Sequence, residues 1–172
     1  MILAICGLPG SGKSTLAHAL ACRVGAEVVA WDDHETMTGR SPDEIECWLR
    51  RGAPFDEITA PGLVERLRDG GERVILDGLL GPAWPPVAPL ISASIWLDCP
   101  PDIALARKVA QMLKIADRRW IAQYLEAYPR FAAPALVLQQ ERVPPLCSFL
   151  LDASSTLRPS LNFIEKRFFS SD

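Results

Sequence analysis

The sequence predicts an α/β protein of three layers, a five-stranded parallel sheet with helices on both faces. Three observations carry that prediction. Five short apolar runs are continuous rather than alternating, as strands buried on both faces require. Helical patterns separate the runs, so the strands point the same way. A glycine-rich loop follows the first run, and Asp32 and Asp77 follow the second and third. That places polar residues at the carboxyl ends of strands, where open α/β sheets bind their ligands.

Each element has its own warrant. Residues 2–6 (ILAIC) read as a buried strand, and a helix runs from Lys13 to about Val24. Residues 27–31 (EVVAW) form the second strand, closed by Asp32 and Asp33. Ser41-Pro42-Asp43-Glu44 is a capping box with proline at the first helical position, so a short helix runs through Trp48 and ends at Gly52. A further helix covers residues 61–68 and stops at Gly70-Gly71. Residues 73–76 (RVIL) form the third strand, ending at Asp77-Gly78. Pro82, Pro85, Pro86 and Pro89 leave an irregular connection with room for one short helix. Residues 94–97 (SIWL) are the fourth strand, followed by a helix from Asp102 to about Leu113 and another over 118–128. Pro129 and Pro134 kink or break the segment after Tyr128. Residues 147–151 (CSFLL) are the fifth strand, and 161–168 form an amphipathic helix.

A chain of 172 residues suits one domain, residues 1–172, with a short lid at about 108–119. A net charge of −3 and a pI near 5.4 argue against a broad nucleic-acid footprint but permit a local basic pocket. The cysteines at 6, 22, 47, 99 and 147 form no CxxC pair, which argues against zinc and for a reducing cytoplasm. No apolar run approaches the ~18 residues of a membrane span. No basic segment precedes the first apolar stretch, and a cleaved leader would remove the loop at Gly7, so none is expected.

Gly7-Leu8-Pro9-Gly10-Ser11-Gly12-Lys13-Ser14 matches GxxxxGK[ST] in full. Its glycines let successive N–H groups turn inward at anionic oxygens, and the helix after the loop adds its dipole. Leu8, Pro9, Gly10, Ser11, Gly12, Lys13, Ser14 and Thr15 are therefore expected to bind ATP. Lys13 reaches the β- and γ-phosphates, and Ser14 holds Mg²⁺. Asp77 is the second metal-side candidate, acting through the water shell that Mg²⁺ keeps. The fold expected is thus a three-layer P-loop NTP hydrolase fold.

Hydrolysis and transfer must then be told apart. The chain has no guanine-reading NKxD, and little room for the extra body of an AAA-type motor. A phosphotransferase needs a carboxylate to accept the proton of its substrate. Asp32 and Asp33 end the strand expected beside the phosphate-loop strand, so either could serve. Arg107, Lys108, Lys114, Arg118 and Arg119 form a plausible lid, with Arg107 and either Arg118 or Arg119 closing on the migrating phosphoryl group.

The pattern resembles the P-loop small-molecule kinases of the uridine kinase and nicotinamide riboside kinase type, within the nucleoside monophosphate kinase-like fold. Residues 5–17 fit the opening strand, loop and helix, and Val29-Ala30-Trp31-Asp32-Asp33 resembles the strand ending in Asp-Asp-Phe-Phe or Asp-x-Phe-Tyr. The resemblance implies that Asp32 is the general base and Asp33 secondary. Residues 74–80 resemble the family's Ile-Leu-Glu-Gly segment, with Asp77 in place of the metal-side Glu. Residues 95–109 look like the strand and arginine-bearing helix before the lid, and 120–130 like the helix after it. His34-Glu35 replaces the family's aromatic pair, which helps hold the acceptor. By family position the acceptor pocket draws on residues 34–56 and 79–84; the substrate-side candidates are Asp33, His34, Phe55, Asp56 and Trp84, with Trp48 assigned to the core. The adenine site falls near residues 153–158.

The expected partners are ATP and a small-molecule acceptor, nucleoside-like or sugar-like, with no nucleic acid and no membrane, in a monomer or homodimer. Two alternatives stand beside this reading. One is a nucleoside monophosphate kinase using Arg40, Arg50 and Arg51. The other is a non-catalytic ATP-binding regulator, which the His34-Glu35 departure keeps open.

Overall fold

In the computed structural model, residues 1–153 and 157–169 are described. In chain order the elements are β1 (Ile2–Gly7), α1 (Lys13–Val24), β2 (Glu27–Ala30), α2 (Pro42–Arg50), α3 (Leu63–Arg68), β3 (Val74–Gly78), β4 (Ala93–Asp98), α4 (Pro101–Met112), α5 (Arg118–Ala127), α6 (Ala132–Arg142), β5 (Phe149–Asp152) and α7 (Leu157–Phe168). The five strands pair in parallel in the order β2-β3-β1-β4-β5, the three-layer P-loop arrangement that the sequence predicts.

The central strand shows why the sheet needs cover on both sides. Side chains of β1 alternate between faces. Ala4 and Cys6 enter one core with Trp31, Trp48, Trp84 and Trp96. Leu3 and Ile5 enter the other with Leu16 and Leu20 of α1 and Leu161 and Ile164 of α7. A run such as LAIC is apolar throughout because both of its faces are dry. Helix α6 lays Ala135, Leu136 and Leu138 on the first core. Arg130, just before α6, reaches Glu46 of α2 at 2.7 Å.

The caps agree with the sequence. The Glu44 amide donates to Ser41 Oγ at 3.3 Å, and the Ser41 amide donates to Glu44 Oε2 at 2.8 Å, closing the box that starts α2. Those bonds to the carboxylate hold Glu44 below the usual carboxylate range.

Several boundaries differ. Trp31 leaves β2 and begins a one-turn 3₁₀ helix, Trp31–Asp33, so the acidic pair sits on a turn. β3 runs through Asp77 and Gly78 instead of stopping before them. The proline-rich connection holds two one-turn 3₁₀ helices, Gly81–Ala83 and Ala88–Leu90, in place of one short helix. Pro134 does not break the chain: it is the third residue of α6, where a missing N–H loses no helical bond. The expected lid is the end of α4, residues 113–117 and the start of α5. Among the described residues no helix is long and apolar enough to cross a membrane.

Candidate phosphate and acceptor site

The phosphate loop is a backbone construction held from two sides. Gly12 caps α1 in the left-handed region, φ 99°, with no side-chain cap, which leaves the first N–H groups of the helix open to an anion. Gly10 has φ 87°, and a Cβ there would run into the carbonyl of Ala104 in α4. Helix α4 therefore packs directly on the loop, and only glycine permits that approach. Lys13 is buried while Ser14 and Thr15 remain exposed. An ammonium held out of water, at a helix start with no acidic residue in its first turn, is matched to an anionic ligand.

Asp77 pairs in register with Ile5 of β1, which sets its carboxylate beside the loop. It is 7% exposed, and its Oδ1 has no hydrogen-bond partner. Ser11 Oγ is buried and equally unpartnered. Buried polar atoms are normally satisfied, so orphaned acceptors here are matched to groups that arrive with the ligand. With the exposed Ser14 hydroxyl, the donor set is oxygen-only and suits hydrated Mg²⁺. Near the end of β1, in the core against Gly81, the Cys6 thiol is pushed well up by its hydrogen bond with Cys147 and by burial, while the nearby Lys13 pulls it down. The same bond draws the Cys147 thiol down.

Two cavities flank the loop at opposite ends. The larger, about 410 Å³, runs along it from Gly10 to Thr15 and is walled by Arg107, Gln111 and Lys114 of α4 and by Ala153 and Leu157. Part of the expected adenine segment, residues 154–156, lies outside the described residues. The smaller, about 240 Å³, meets the first half at Leu8 and Pro9 and lies between α4, α5 and α6. Tyr124 and Tyr128 face it, and burial pushes both phenols up.

The sequence-derived acceptor residues divide. β2 is not the neighbour of β1: β3 lies between them, which corrects the expected strand order. Ala30 is opposite Asp77, however, so the exposed Asp32 and Asp33 stand at the same rim two and three residues further out. Phe55 and Trp84 are not free stacking platforms. Phe55 is buried against Trp48, with centroids 6.4 Å apart, under the Arg142 guanidinium. Trp84 is 4% exposed, donates from Nε1 to the Ile58 carbonyl at 2.9 Å, and meets Trp31 edge-on. Both belong to the core because the turns around them bring apolar faces together, and Trp48 is core as expected. His34 Nδ1 lies 3.0 Å from the Pro61 carbonyl, and Glu35 accepts from the amides of Met37 and Thr38. The pair that departs from the family pattern thus braces its own loop. Asp56 is exposed. Arg107 lines the larger cavity, and Arg118, exposed at the start of α5, lines neither.

Tyr124, Tyr128 and Asp102 are site-wall residues that sequence reasoning does not single out. The two tyrosines are four apart on a helix, and that same-face spacing is the signal that could have found them.

Comparison with known proteins gives the same outline. A model described as an AAA domain matches residues 2–84, just under half of the chain, spanning the phosphate loop and Asp77. No curated protein matches the sequence. Among solved structures, the shikimate kinase of Acinetobacter baumannii in complex with shikimate is similar at 14% identity and TM-score 0.59, covering 98% of this chain and 95% of that one. The shikimate kinase of Aquifex aeolicus is similar at 17% identity and TM-score 0.54, covering 95% and 94%. A gluconokinase of Sinorhizobium meliloti is similar at 16% identity and TM-score 0.51, covering 93% and 86%. At these identities the likeness shows the fold.

Proposed function

We propose that this chain, acting as one domain, is an ATP-dependent phosphotransferase that moves the γ-phosphate to a hydroxyl of a small metabolite. The observation that carries the reading is the placement of the two cavities. A hydrolase needs a nucleotide site, whereas a transferase needs a second room at the far end of the phosphate loop. The larger cavity carries Arg107 and Lys114 and suits the anionic nucleotide; the smaller begins at Leu8 and Pro9. The solved structures similar in fold are kinases of shikimate and gluconate, which favours a hydroxyl acceptor.

In this mechanism the loop amides and Lys13 hold the phosphates, and Ser14 and Asp77 would hold Mg²⁺. Mg²⁺, when bound, neutralises charge on the phosphate oxygens. The acceptor oxygen forms a bond to the γ-phosphorus as the bridging P–O bond to ADP breaks. The proton released from the hydroxyl passes to a rim carboxylate, Asp32 by this reading, with Asp33 secondary. Arg107, which lines the larger cavity from α4, would face the phosphates, and residues 108–119 with Arg118 would be the segment that closes over the site. The uridine kinase or nicotinamide riboside kinase type is the finer form of the proposal. A nucleoside monophosphate kinase is less favoured, because Arg51 is already paired with Glu57 at 2.6 Å.

The test uses γ-labelled ATP with pooled nucleosides, sugars and other alcohols. Label should appear on an acceptor, and Asp32→Asn should cut transfer by about 10²–10⁴-fold, the usual range for a general base. ATP binding with no labelled acceptor would turn the reading toward a nucleotide-binding regulator.

A further inference from the structure

Resting on the kinase reading above, we propose that the acceptor is an uncharged alcohol with a compact apolar or aromatic body, seated in the smaller cavity between α5 and α6. Three features support this. The first is position. Gly10 through Gly12 and Thr15 wall the larger cavity and Leu8 and Pro9 the smaller, so the two abut along the loop and a triphosphate laid along it from the larger cavity ends its run toward the smaller. The second is charge. Arg107 and Lys114 face the larger cavity, whereas the smaller has no arginine among its described lining residues and balances Lys108 against Asp102. Carboxylates and phosphates are held best by arginine forks, so a cavity lacking them selects against a carboxylated or phosphorylated acceptor. The third is surface. Leu105, Leu136 and Val137 supply apolar walls, and Tyr124 and Tyr128 present flat rings with a polar edge.

Size narrows the class. A cavity of about 240 Å³ holds about eight waters at ~30 Å³ each, which is room for one substituted ring. A long or polyhydroxylated chain would lay some of its hydroxyls on Leu105, Leu136 and Val137, beyond the few polar partners that Asp102, Lys108 and Gln140 offer. The body of the acceptor seats against Tyr124 and Val137, and its hydroxyl end faces Leu8 and Pro9. There its oxygen takes the γ-phosphorus as the bridging bond to ADP breaks, and the proton passes to Asp32, the base of the kinase reading, which stands outside the cavity's described lining.

Val137 is 51% exposed, so Val137→Trp fills the cavity without disturbing the core. Tyr124→Ala removes a wall instead. Two arms keep the test decisive. In the first, saturation-transfer NMR follows 2-phenylethanol and gluconate on the ADP-bound protein. Signal from 2-phenylethanol alone, lost in Val137→Trp while ADP affinity stays within about two-fold, supports the proposal. Equal signal in wild type and Val137→Trp, or signal from gluconate alone, overturns it. In the second, γ-labelled ATP is offered with benzyl alcohol, 2-phenylethanol, shikimate, gluconate and glucose. Aryl alcohol turnover, with KM raised at least ten-fold by both variants and kcat changed less, supports it. Turnover of gluconate, shikimate or glucose with KM unmoved in Val137→Trp overturns the acceptor class and leaves the kinase reading standing. If the first arm succeeds and no compound is labelled, the kinase reading fails while the cavity remains a binding site for the alcohol.

Discussion

The two ends of the phosphate loop are built by opposite means. The phosphate-binding end is local and polar: consecutive backbone positions, from β1 through the start of α1, set the anion hole, and Lys13 and Asp77 add charge from buried positions. The other end, where the proposed function seats the acceptor, is distant and more apolar: α4, α5 and α6 converge on Leu8 and Pro9 from as far along the chain as Gln140. Phosphate is the same in every nucleotide, so backbone amides suffice to hold it. An acceptor differs from one enzyme to another, and side chains drawn from three separate helices suit that task.

The sharpest way to break the comparison is at the phosphate end. Lys13→Ala leaves an anion hole without its buried cation, and phosphoryl transfer should fall by about 10³-fold, near 4 kcal/mol. ADP affinity should fall as well, read by calorimetry. A Lys13→Ala protein that binds ADP normally would remove the premise that charge dominates this end.

Next in size is the division between core and site in residues 48–84. Trp84→Ala should lower stability by about 3–5 kcal/mol, because it opens a cavity and strands the Ile58 carbonyl. Asp56→Ala, exposed on a one-turn helix, should stay within about 0.5 kcal/mol. Urea unfolding of both measures this. If Trp84→Ala keeps its stability and loses only acceptor turnover, the indole is a ligand contact after all.

That division shows what the sequence can and cannot disclose. The strand–loop–helix at Gly7–Lys13 is legible because a local motif and a local structure coincide. The five strands are legible from continuous apolar runs, and α2 from its capping box. Strand order is not local: Asp32 reads as adjacent to the loop strand, whereas β3 intervenes. Phe55 and Trp84 look alike as site or core until Trp31, Trp48 and Arg142 are packed around them. Helix α6 is hidden by Pro134, whose helix-breaking effect vanishes in a first turn.

Arg142 of α6 offers a smaller test of how firmly this wall of the smaller cavity is tied to the core. Its guanidinium donates to the carbonyls of Gly52 and Ala53, each at 2.9 Å, and Ala53 is buried at φ 49°, a left-handed position unusual for a residue with a Cβ. Arg142→Met keeps the stem and removes the donors, so stability should fall by about 1–3 kcal/mol. Hydrogen exchange should speed first in residues 52–58. Uniform exchange changes would mean that α6 does not hold this turn.

The smallest effect comes from the core thiol near the end of β1. Cys6 keeps its proton in the fold because its bond with Cys147 and its burial raise it well above the ordinary 9.0. Above about pH 9 the unfolded chain loses that proton while the folded chain retains it. The unfolded state then binds fewer protons, so stability declines as pH rises. Tyr124 and Tyr128, raised by burial above 10.0, act in the same sense at higher pH. Cys147 works the other way at lower pH: its lowered thiol ionises first in the fold and adds stability as pH climbs toward 9.0. Melting temperature should therefore hold or rise slightly to about pH 9 and then fall. Cys6→Ala removes both the retained proton and the donor to Cys147, so its profile should flatten on both sides of that point. A wild-type profile already flat through pH 10 would show that the pair does not feel the enclosure that the phosphate end otherwise displays.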